Sequence, residues 1–95
     1  MNIRFLTTAK EELDEAFVWY EKQVPGLGAS FLTEIDRTVR RIHTYPDSFT
    51  EIEPGIRRAR LNRFPYGLIY AMDGRDALVL AVAHLHRRPG YWKGR

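Results

Sequence analysis

Ninety-five residues, 44% hydrophobic and 13% aromatic, make a single domain spanning residues 1–95, with enough apolar matter for its own core and no room for a second. The chain has no cysteine, which excludes disulfides and thiolate metal sites, and no apolar run approaches the ~20 residues that cross a bilayer. With no signal-peptide pattern at the N-terminus either, a cytoplasmic protein with no cofactor and no membrane partner is expected.

The net charge of +3 hides an asymmetry, because Met1–Pro54 holds ten acidic and six basic residues while Gly55–Arg95 holds two and nine. A positive surface on the second half suits an acidic partner, either nucleic acid or an acidic protein segment; the plainer alternative is a solvated basic face with no ligand.

In chain order, Asn2–Leu6 alternates Ile3 and Phe5 with Asn2 and Arg4, the period of a strand. Thr8 to Glu11 fits a capping box, and Ala9, Leu13, Ala16, Phe17 and Tyr20 then recur at helical spacing as far as about Gln23, where Pro25-Gly26 stops the helix. A second helix is predicted from Leu27 or Gly28, on the stripe Phe31, Leu32, Ile35, Val39 and Ile42, with Glu34, Asp36, Arg37, Arg40 and Arg41 mostly outside it; Tyr45-Pro46 closes it. So short a turn between two helices predicts a helical hairpin laid as one layer on a sheet.

Asp47–Gly55 is polar and has no clear period, so it reads as a loop. The period then changes to two: Ala59 and Leu61 alternate with Arg58, Arg60 and Asn62, Tyr66–Met72 is rich in β-formers, and Ala77–His86 is mostly aliphatic. Asp73-Gly74 marks a turn between the last two strands. The predicted class is α+β, in the order β-α-α-β-β-β.

The run Trp19-Tyr20-Glu21-Lys22-Gln23-Val24-Pro25-Gly26-Leu27-Gly28, then Phe31 and Glu34, Ile56-Arg57-Arg58, Arg63-Phe64-Pro65-Tyr66, Ile69-Tyr70, Ala81-Val82-Ala83-His84 and Arg87-Arg88-Pro89-Gly90-Tyr91-Trp92 resembles the RelE/ParE toxin superfamily of type II toxin–antitoxin systems, above all its ParE-like, plasmid-stabilisation branch. The combination, in order over nearly the whole chain, carries the likeness. It implies a curved, largely antiparallel sheet with the first strand beside the last, backed on one face by the helical hairpin. It also implies a cognate antitoxin as partner, and as target either DNA gyrase, poisoned by ParE-like members, or the ribosome, in whose A site RelE-like members cut mRNA.

Metal-free RNA cleavage needs a base for the 2′-OH, cations for the phosphorane and an acid for the leaving oxygen. The resemblance places Arg58 and Arg60, on one face of a strand, at the first basic pair, His86 and Arg88 at the C-terminal basic positions, and Tyr91 or Trp92 at the aromatic one. Gly67 stands where the RelE pattern has arginine, and arginine in place of lysine is a poor base. A histidine can supply that function. His84 and His86 lie two apart and so share a strand face, where Leu78, Leu80 and Val82 favour a structural part for His84, while either part fits His86. His-x-His without carboxylates or cysteines is a weak metal signal, and no metal site is expected.

Glu11, Glu12, Asp14 and Glu15 read as a solvated helix face, and Trp19 and Tyr20 as packing residues. Tyr91 and Trp92, flanked by Arg87, Arg88, Lys93 and Arg95 near a chain end, have little core left to fill and suit contact with a target. The Gly67 departure favours a gyrase poison, with Arg87, Trp92, Lys93 and Arg95 as target contacts, over a nuclease using Arg58, Arg60, His86, Arg88 and Tyr91. A catalytically silent module that binds antitoxin or operator is the third reading.

Overall fold

The computed structural model describes all residues, 1–95, in the order β1 (Ile3–Phe5), α1 (Thr7–Gln23), α2 (Leu27–Thr44), β2 (Thr50–Glu53), β3 (Ile56–Arg60), β4 (Tyr66–Asp73) and β5 (Asp76–His84). One sheet carries all the strands in the spatial order β1-β5-β4-β3-β2. The first strand lies beside the last and parallel to it, and every other pairing is antiparallel. No helix is long and apolar enough to cross a membrane.

The hairpin of helices forms where it is predicted, with different chemistry at its starts. The capping box is not formed: α1 begins at Thr7 with Leu6 as its N-cap and no side-chain cap. Leu6 is still tied to the sheet through its N–H to the Val79 carbonyl at 3.0 Å, and its own carbonyl accepts from Lys10 N–H at 2.9 Å. The strand therefore runs straight into the helix and leaves Thr8 inside the first turn. At the start of α2, Glu21 of the preceding helix accepts the N–H groups of Gly26 and Gly28, both at 2.9 Å, and so satisfies amides that the helix cannot. Gly28 also lets the helices close: a β-carbon there would lie 2.7 Å from the Phe17 ring.

Both helices cover one face of the sheet, where Phe31, Ile35, Ile42, Leu68, Tyr70, Val79 and Val82 are buried together. The Tyr70 hydroxyl donates to the Pro46 carbonyl at 2.6 Å and ties the exit of α2 to β4. Glu34, expected outside the apolar stripe, is only 2% exposed. One of its oxygens accepts from Arg37 at 2.7 Å, and the other is buried without a partner.

Three sequence expectations are corrected in the sheet. Thr50–Glu53 is an edge strand, not part of a loop; with one apolar residue, Ile52, in four, it shows no readable period. The strand predicted to reach His86 ends at His84, and a register shift between Ile69 and Tyr70 leaves Leu80 unpaired opposite β4. The bulge breaks the alternation, so Leu80 and Ala81 both pack on the helix-free face while Val82 turns to the helices. The last two strands join as predicted, with Asp73 paired to Asp76 and Gly74 at a φ of 64°.

Candidate functional site

The face of the sheet away from the helices has its own apolar cluster of Ile69, Ala81, Ala83 and Trp92, flanked by Ile52, Ile56, Leu80 and Tyr91. Trp92 arrives there because the chain folds back after β5. Leu85 N–H bonds to the Pro65 carbonyl at 2.8 Å, and turns at Arg87, Tyr91 and Lys93 follow, each N–H reaching the carbonyl three residues earlier. Trp92 is 5% exposed, so the expectation that so late an aromatic pair had little core to fill is wrong. The core it fills is the second sheet face, which no local pattern reveals.

Between this segment and the strands lies a cavity of about 170 Å³ lined by Arg58 and Ile69 of the sheet, Ala83 and His84 at the end of β5, and Arg87, Arg88, Tyr91 and Trp92 of the returning chain, with Ile52 and Glu53 at one side. The Lys93 ammonium holds Glu53 at 3.1 Å, which occupies the one carboxylate of the lining. Arg58, Arg87 and Arg88 take part in none of the ion pairs of the molecule. The cavity is therefore a cationic hollow with an apolar floor, suited to an anionic group or to acidic side chains.

Arg58 reaches the cavity by crossing Gly67. A β-carbon at Gly67 would lie 3.0 Å from Arg58 Cγ and 3.3 Å from Cδ, so the missing side chain on β4 is the space through which Arg58 passes. Arg60, opposite Gly67 in the ladder, does not join it. It opens onto a separate cleft of about 290 Å³ with Arg41, Ser48, Phe49, Thr50 and Asn62, and Arg58 borders both hollows.

The two histidines are placed differently with respect to the cavity. His84 lines the cavity and also a neighbouring cleft beside Glu15, Trp19 and Tyr66. His86 is exposed in the turn and lines neither, although its ring is 5.1 Å from that of His84. The two rings meet through the turn, not through strand alternation. His84 Nδ1 accepts the His86 backbone N–H at 3.1 Å, so any proton on neutral His84 is carried by Nε2. No cluster of three or more His, Asp or Glu groups converges where a metal would be held.

Tyr91 and Arg95 are both engaged by Glu12, which is not a solvated helix residue as expected. The Tyr91 hydroxyl donates to Glu12 Oε2 at 2.7 Å, and Arg95 donates to both carboxylate oxygens at 2.7 and 3.1 Å. Burial first, and then the bond to the Glu12 carboxylate, pushes the Tyr91 phenol far above the usual tyrosine range, while the Glu12 bond raises Arg95 further. The Arg87 guanidinium stacks 4.0 Å from the centroid of the Tyr91 ring. Thus Arg58, Arg87, Arg88, Tyr91 and Trp92 gather at one cavity, whereas Arg60, His86, Lys93 and Arg95 do not line it. Sequence reasoning missed Glu12 and discounted His84. A lone glutamate on an acidic helix gave no signal, and the bulge hid the facing of His84.

A helical hairpin on one face of a five-stranded sheet, with the first strand beside the last, is the arrangement that the resemblance to the RelE/ParE superfamily of small toxins implies. A model of the family described as ParE toxin of type II toxin-antitoxin system, parDE, matches residues 3–89. The chain belongs to that family and is the toxin component of such a system, the kind that is paired with a cognate antitoxin. Among solved structures, a chain described as "Chromosomal ParDE TA system from P. aeruginosa" is similar in fold, with a TM-score of 0.77 at 18% identity, over 88% of this chain and 95% of that one. No curated protein matches the chain.

Proposed function

We propose that this toxin arrests growth as a ParE-type poison of DNA gyrase. The observation that carries the reading is the dispersal of the groups a nuclease would need. The Tyr91 proton is committed to Glu12, Arg60 opens onto a different cleft, His86 is outside the cavity, and Gly67 offers no cation. What remains around the hollow is three unpaired guanidiniums on an apolar floor, a surface for binding. In this reading Arg58, Arg87 and Arg88 contact the target electrostatically, Trp92 shapes the floor from beneath, and Lys93 and Arg95 hold the segment in place.

One observation favours the second reading, a ribosome-dependent nuclease: Arg58, His84 and Arg88 do line a single cavity, and a histidine that shares a cavity with arginines can move a proton beside a stabilised phosphorane. Purified toxin freed of antitoxin discriminates between them. Inhibition of gyrase supercoiling with intact mRNA on programmed ribosomes is the expected result. A-site cleavage with unaffected gyrase overturns it, and inactivity in both assays points to the silent antitoxin- or operator-binding module.

A further inference from the structure

β1 is three residues long and pairs with β5 only from Ala77 to Val79. Beyond that point β5 is an edge strand, and two side chains from distant parts of the chain take the place of a neighbour. Val82 N–H donates to Glu12 Oε1 at 3.1 Å, and the Leu80 carbonyl accepts from Arg95 Nη1 at 3.1 Å. An unpaired edge is thereby closed by an ion pair instead of a strand. Glu12 is the junction: its carboxylate accepts from β5, from the Tyr91 hydroxyl and from both arms of the Arg95 guanidinium.

The position of the cavity wall depends on this junction. The segment that brings Arg87, Arg88, Tyr91 and Trp92 over the sheet is anchored at its far end by Glu12, and the centroid of the Tyr91 ring fixed there lies 4.0 Å from the Arg87 guanidinium and 5.1 Å from that of Arg95. Glu12 itself lines no part of the cavity. We propose that Glu12 is a positioning residue of the toxin site: by holding Tyr91 and Arg95 it sets Arg87 and Arg88 at the cavity mouth, without touching the target. The proposal rests on the cavity being the surface through which the toxin arrests growth, whichever target it meets there.

The test uses full-length toxin carrying Trp19→Phe, which leaves Trp92 as the single tryptophan of the two. Glu12→Ala, Glu12→Gln and Arg95→Ala are compared by Trp92 emission, by amide exchange at Val82 and through residues 88–95, and by growth arrest per unit of folded toxin. Glu12→Ala is expected to shift Trp92 emission to the red and to raise exchange at Val82 and along the segment. It should also weaken growth arrest by about tenfold or more, the scale of losing a charge-assisted hydrogen bond. Glu12→Gln keeps one acceptor, for the Val82 N–H, and presents its amide NH2 to the Tyr91 hydroxyl oxygen, which can accept, but loses the charge that holds Arg95; it should recover part of the activity. Glu12→Ala combined with Arg95→Ala should be no worse than Glu12→Ala alone.

Unchanged emission and exchange in Glu12→Ala would show that the segment is held without Glu12, and a released segment with full growth arrest would show that its position is irrelevant; either overturns the proposal. Full growth arrest by the double variant Arg58→Ala/Arg88→Ala overturns it through its premise, a failure told apart from the others because the exchange response to Glu12→Ala is then still present.

Discussion

The stem of Arg58 occupies the space that a side chain at Gly67 would fill, at 3.0 Å from where that β-carbon would be. A position that reads as the loss of a catalytic arginine on β4 is thus also the gap through which an arginine on β3 enters the same hollow.

Gly67→Ala should therefore act on function more than on folding. The Arg58 side chain is flexible and can yield, and alanine in a strand offsets part of the crowding by restricting the unfolded chain, so the change in stability should stay within about 1 kcal/mol. Growth arrest should fall, and Arg58→Ala should remove most of the effect of Gly67→Ala in the double variant. Additive losses in that cycle would refute the coupling.

Trp92 and Trp19 should separate sharply in denaturant unfolding. Trp92→Ala empties the floor of the second cluster and should cost about 3–5 kcal/mol, as for other buried aromatics. Trp19, 58% exposed on α1, should cost under about 1 kcal/mol when truncated. Equal losses would mean that the second sheet face is not a core.

At the helical turn, Gly28→Ala places a β-carbon 2.7 Å from Phe17 Cε2 and 2.8 Å from Glu21 Oε1. Either the hairpin opens or Glu21 leaves the amides it caps. The expected loss is about 1–3 kcal/mol, typical of overpacking, read from urea melts; a stabilised or neutral variant would show that the helices approach less closely.

Alkaline solution should unfold the protein before all its tyrosines ionise. Burial raises the phenols of Tyr20, Tyr66, Tyr70 and Tyr91 above the ordinary value of 10.0, with the Glu12 hydrogen bond adding to the rise at Tyr91. Above that pH the unfolded chain loses protons that the folded chain keeps, so stability is fully present below pH 10 and falls as the pH climbs toward the raised values. Phenolate absorbance should then rise together with the loss of helical circular dichroism. Ionisation of these phenols in a chain that stays folded would refute their burial.

Much of the fold is legible in local spacing, because a helix or a hairpin turn declares itself within a few residues. The apolar stripe of α2, the stop at Pro25-Gly26 and the turn at Asp73-Gly74 all needed only neighbours in sequence. The basic character of the second half was legible for the same reason, since charge is counted residue by residue. The resemblance, resting on many weak matches in order, pointed to the family and to the first strand lying beside the last.

What only the tertiary structure decided depends on partners far apart in the chain. β2 is a strand because β3 offers it a ladder, not because Thr50–Glu53 has a pattern of its own. The bulge at Leu80 reverses the faces of everything after it, so Val82 and His84 turn toward the helix side, and His84 borders the cavity as well because it stands at the end of the strand. Glu12 and Arg95, 83 residues apart, become a pair only where the short β1 leaves the edge of β5 open. Amino-acid spacing encodes the helices and most of the strands, but the chemistry of the site depends on which buried groups must find a hydrogen-bond partner once the sheet has closed.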